Sequence, residues 1–123
     1  MADVAIWVVA AGFAAMGLYA LASPASVPAL FGVEVRTAEG RNEVRAVYGG
    51  FGLAMAALLG VAAAGHGGVR EGILVTVGFA LAGMAAGRVV GAVVDRRVGL
   101  WPVWTFFAIE VACAAVLLAI AWS

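Results

Sequence analysis

NEVRAVYGGFG, residues 42–52, decides how this chain is read. It sets an acid, an arginine, a tyrosine and three glycines at the mouth of an apolar run that continues to residue 64. After a strand, such glycines would read as a phosphate loop; here they open a run of about 20 apolar residues, enough to cross a bilayer core of about 30 Å. The stretch therefore predicts the entrance of a transmembrane helix over residues 44–64. Asn42 is its N-cap and Glu43 faces the positive helix end. Gly49, Gly50 and Gly52 seat the helix where a neighbouring backbone comes close.

The rest of the chain agrees with that reading. Of 123 residues, 66% are hydrophobic and 11% charged, with a mean hydropathy of +1.12. Soluble domains average about 45–50% apolar and 25% charged, so this composition belongs to a membrane protein whose first partner is the bilayer. Seven basic and seven acidic groups leave a net charge of zero. No basic surface is left for a phosphate backbone, which excludes nucleic acid as the expected partner. Cys113, the single cysteine, lies in an apolar run and reads as inert packing.

Working outward, residues 4–22 form a first span. Ala20-Leu21-Ala22 resembles a signal cleavage site. Asp3 in place of a positive leader, and an apolar run beyond the usual 7–15 residues, argue for a retained span. Pro24 and Pro28 end it. Ser23 caps a short interfacial piece with Val27, Leu30 and Phe31 on one side, Gly32 stops it, and residues 34–43 form a solvated connection. Residues 65–71 make a turn in which His66, alone between glycines, reads as a surface residue and not a metal ligand. Further spans are predicted over residues 73–94 and 103–122. The expected fold is all-α, a single integral membrane bundle of four transmembrane helices. Trp7 and Trp122 mark one interface, Trp101 and Trp104 the other. Arg36, Arg41, Arg96 and Arg97 place loops 1 and 3 in the cytoplasm and both termini outside.

The chemistry candidates are charges within the spans. Arg88 and Glu110 each fall about 9–10 Å from the same face at 1.5 Å per residue, and Arg45 can reach that depth by snorkelling. Charges at that depth are expensive unless paired or wet, so the expectation is an Arg45–Glu110–Arg88 cluster joined by Tyr48. Two readings stay open. One is a structural ion-pair layer that fixes helix register. The other is a binding or carrier site for an anionic lipid or small amphiphile, drawn to two arginines over one glutamate. Gly83, Gly87 and Gly91 repeat G-x-x-x-G and read as a packing seam, through which copies of the chain could also associate. No hydrolase, metalloprotease, redox or Walker motif is present, so no cofactor is expected and an enzyme acting on a lipid-soluble substrate is the weaker third class. Gly12-Phe13-Ala14 echoes Gly78-Phe79-Ala80, too little in so Gly- and Ala-rich a chain to establish a repeat.

These residues together resemble a known group. Pro24 and Pro28 with Leu30-Phe31-Gly32, the stretch NEVRAVYGGFG, Ala86-Gly87-Arg88 and Glu110 are similar to the small bacterial four-helix membrane proteins catalogued as domain of unknown function 4345. The likeness covers nearly the whole chain, and NEVRAVYGG is its most specific part. It implies a four-helix protein of the bacterial inner membrane. Asn42, Glu43, Arg45, Tyr48, Gly49, Gly50, Arg88 and Glu110 match the pattern of the group, which brings no assigned activity.

Overall fold

The structure, a computed structural model, describes residues 1–65, 67–96 and 98–123. His66 and Arg97, and the readings made of them, lie outside these. Every described element is helical. In order they are α1 (Ala2–Ala22), α2 (Ser26–Ala29), α3 (Ala38–Val44), a wider π-helical turn (Arg45–Gly50) and α4 (Phe51–Ala63). A 3-10 turn (Gly67–Val69), α5 (Arg70–Asp95), a second π-helical turn (Leu100–Trp104) and α6 (Thr105–Ala121) follow. The first π turn joins α3 to α4 without a break, so four helices are long and apolar enough to cross a membrane: Ala2–Ala22, Ala38–Ala63, Arg70–Asp95 and Leu100–Ala121. These helices, with no strand among the described residues, agree with the all-α membrane fold read from hydropathy.

The chain divides into two compact units, Met1–Ala64 and Gly65–Ser123. Each is a helical hairpin. In the first, α1 buries Ile6, Val9, Ala10, Gly17 and Ala20, which fall along one face of the helix. Against it, α4 and its π turn bring glycine backbone. A Cβ built on Gly17 would lie 2.7 Å from the Gly49 carbonyl oxygen, and one on Gly52 would lie 2.9 Å from that of Phe13. The two backbones therefore touch, which is how spans gain dispersion contacts when lipid supplies no hydrophobic drive between helices. Nearer the other end, Gly60 makes room for the Trp7 ring.

The entrance to the second span differs from the sequence reading. Asn42 is not the N-cap; it lies inside the helix and is exposed. Thr37 is the cap, with extended backbone (φ −113°, ψ 160°) and a hydroxyl that accepts the Gly40 N–H at 3.0 Å. Glu39, in place of Glu43, occupies the first turn, where a carboxylate offsets the positive helix end. A good cap and a first-turn acid outweigh the polarity that makes residues 34–43 look like loop. Ser23 does not cap α2 either: its hydroxyl meets that of Ser26 at 2.6 Å. Gly32 does end that segment, at φ +75°, where glycine alone is unstrained.

In the second hairpin, α5 buries Leu74, Val77, Gly78, Leu81 and Ala85, and α6 buries Glu110, Ala114 and Leu117. The close approach is at Gly78, where a Cβ would fall 2.8 Å from Leu118. At Gly83, Gly87 and Gly91 a Cβ would meet no described atom within 4 Å. The seam between α5 and α6 thus runs along another line than the G-x-x-x-G repeat. We expect Gly87→Ala to leave thermal unfolding in detergent unchanged or raise it slightly, since a helix-interior glycine costs about 0.5–1 kcal/mol. Gly78→Ala should lower it, because Leu118 has to move. The reverse order would show that the seam is misplaced.

Candidate functional site

Among the described residues, the buried charged side chain Glu110 lies in the second hairpin. Arg88 follows the buried positions Leu81 and Ala85 along α5, while Glu110 leads the buried line Glu110, Ala114, Leu117 on α6. The two side chains meet as a fork: Arg88 Nε donates to Glu110 Oε1 and Nη2 to Oε2, both at 2.8 Å. Glu110 is 6% exposed and Arg88 22%. Two parallel charge-assisted bonds satisfy a carboxylate that would be very costly alone in hydrocarbon. Phe106, one turn before Glu110, carries the Arg88 guanidinium 5.8 Å from its ring centre. Trp101, exposed ahead of α6, packs on Phe106 at 5.7 Å. An exposed indole is thereby linked through one ring to the buried pair. Among the described residues, no buried side-chain nitrogen or oxygen lacks a partner.

Arg45 and Tyr48 belong to the first hairpin, in the π turn that opens the second span. Arg45 Nε donates to the Leu21 carbonyl oxygen at 3.1 Å. The local reason is the end of α1: the chain leaves the helix after Ala22, so the carbonyls of its last turn, Leu21 among them, have lost their donors four residues on and want others. A cation at a helix C-terminus is also favoured by the helix dipole. The rest of the Arg45 guanidinium faces outward, as does Tyr48, which is 39% exposed. Glu43 is exposed, and Gly50 lies at the outer side of the turn while Gly49 is buried against Leu21. Single π turns inside α-helices recur at functional sites because they re-aim side chains.

Elsewhere the polar chemistry is sparse. A depression of about 440 Å³ beside α2 is lined by Ala25, Ala29, Val33 and Val35, with Glu34 and Arg36 paired to each other at its edge. Among the described residues no group of three His, Cys, Asp or Glu side chains is placed to hold a metal. Cys113 is a free thiol, half-buried on α6. Sequence reasoning did not find Gly17, Phe106 or the Leu21 carbonyl. Gly17 has no glycine at the spacing that marks a seam, and a backbone acceptor has no residue identity of its own to read.

Fold and charged pair together define a four-span helical membrane protein with one closed ion pair between its third and fourth spans. A family model described as Domain of unknown function (DUF4345) matches residues 1–121, and the chain belongs to that family. No curated protein and no solved structure matches it.

Proposed function

We propose that this chain is a non-enzymatic multi-pass protein of the bacterial inner membrane in which Arg88 and Glu110 act as a structural clamp. The supporting observation is the fork itself: both carboxylate oxygens are taken, by two guanidinium nitrogens at 2.8 Å. The guanidinium fork both neutralises the Glu110 charge and fixes its orientation, which suits a structural partner better than a catalytic acid or a carrier's counter-ion. Loops 1 and 3 face the cytoplasm, a reading supported by Arg36 and Arg41 on one and Arg96 and Arg97 on the other, against Arg70 alone on the turn between.

Arg45 favours a second reading. Its single bond to Leu21 leaves the outer guanidinium edge available to an anionic lipid or small amphiphile, beside the exposed Tyr48. Native mass spectrometry of the purified protein, of Arg88→Gln and of Arg45→Gln separates the readings: a retained species that Arg45→Gln loses and Arg88→Gln keeps supports the second. If the clamp is structural, folded Arg88→Gln retains every small molecule that the unmodified protein retains. A retained lipid or metabolite that disappears in folded Arg88→Gln would make the pair a binding site and overturn the clamp.

A further inference from the structure

The charges of α3 are segregated in a way that the fold does not use. Arg41 and Arg45 stand one turn apart, their turn closed by the Arg45 N–H to the Arg41 carbonyl. Glu39 and Glu43 form a second line, about 200° around the helix at 100° per residue. Acids and bases that stabilise a helix alternate three or four residues apart; here like charge follows like, the arrangement that repels. Among the described residues, Glu39, Arg41, Glu43 and Arg45 form no ion pair, whereas Arg36, five residues before Arg41, is neutralised by Glu34. Two guanidinium groups are thus left unneutralised on one helix line, with Cβ atoms about 5–6 Å apart. One of them is fixed: the Leu21 carbonyl takes Arg45 Nε and leaves its terminal nitrogens to turn outward.

We infer that Arg41 and Arg45 form a two-arginine clamp for a phosphate group, carried by an anionic lipid head group, at the entrance of the second span. This rests on the anionic-amphiphile reading above and adds Arg41 and the phosphate class to it. Phosphate suits the pair because guanidinium groups give it paired charge-assisted bonds, and an anion between two like charges removes their repulsion. The position suits a lipid: the apolar run of the second span begins at Val44, beside Arg45, so a head group held here leaves its acyl chains along that span. The acidic line lies away from the clamp and repels the same lipid on that side.

The test is native mass spectrometry of the delipidated full chain titrated with dioctanoyl phosphatidylglycerol, dioctanoyl phosphatidylcholine and inorganic phosphate. Phosphatidylglycerol should bind best. Arg41→Gln and Arg45→Gln should each weaken it about tenfold or more, as expected for losing a charge-assisted contact. Glu39→Gln and Arg88→Gln should not weaken it. Arg41→Gln is decisive, since Arg41 makes no described side-chain bond that its loss would disturb. Inorganic phosphate bound with the same arginine dependence, and no preference for the lipid, would keep the clamp and assign it a free phosphate. Unchanged lipid binding in Arg41→Gln with loss in Arg45→Gln would overturn the two-arginine clamp while leaving the anionic-amphiphile reading at Arg45 standing; unchanged binding in both would overturn both. No binding of any probe would overturn both.

Discussion

Gly17→Ala is expected to loosen the first hairpin, whereas Gly12→Ala on the same helix should be neutral. A methyl on Gly17 would sit 2.7 Å from the Gly49 carbonyl oxygen and 2.9 Å from the Leu53 amide nitrogen, and both obstacles are backbone. No rotamer change relieves that clash, so the helices have to separate, giving up the Gly52 contact to Phe13 as well. Overpacking of a tight interior costs about 1–3 kcal/mol, and a clash of backbone on backbone belongs at the upper end. At Gly12 a Cβ meets nothing within 4 Å, so alanine gains helix propensity and loses no contact. Reversible unfolding in mixed micelles, followed by far-ultraviolet circular dichroism, ranks the two. Equal effects would mean that α1 and α4 do not cross at Gly17.

The second large effect is expected from breaking the buried pair. Arg88→Gln leaves the Glu110 carboxylate, 6% exposed, without its two charged donors. Glu110→Gln leaves the guanidinium beside Phe106 without its counter-ion. Removing one partner of a buried pair costs about 3–5 kcal/mol, because the remaining charge stays in a medium that cannot solvate it. Arg88 is the more exposed partner and can turn toward water, so Glu110→Gln should fall at the lower end of that range. Phe106→Leu removes the ring beside the guanidinium but not the fork, and should cost less than either.

The membrane spans are legible in the sequence because a run of about 20 apolar residues has one physical explanation in lipid. Their ends are less so. Residues 34–43 look solvated and are solvated, but the helix starts at Ala38 within them because Thr37 caps it. Spacing gives a face and not its partner. Gly83, Gly87 and Gly91 carry the stronger glycine pattern, yet contact with α6 falls to Gly78, whose neighbours are Val77 and Phe79. Depth counting puts Arg88 and Glu110 at one level of their helices, where the structure has their fork. The Arg45 bond depends on a main-chain oxygen at the end of another helix, and residue identity does not encode that oxygen directly. Arg41 is read in the sequence only as a loop charge: taken so, it has no helical neighbour, and its alignment with Arg45 exists only once residues 38–44 are helix.

The account stands on Arg88 and Glu110 being direct partners that clamp α5 to α6. A double-mutant cycle measures this most directly: unfolding free energies of Arg88→Gln, Glu110→Gln and the double change, in one bilayer-mimicking solvent. The double change should cost less than the two single changes together by about 1–3 kcal/mol, because the second substitution removes the charge that the first left unpaired. Strict additivity would contradict the clamp.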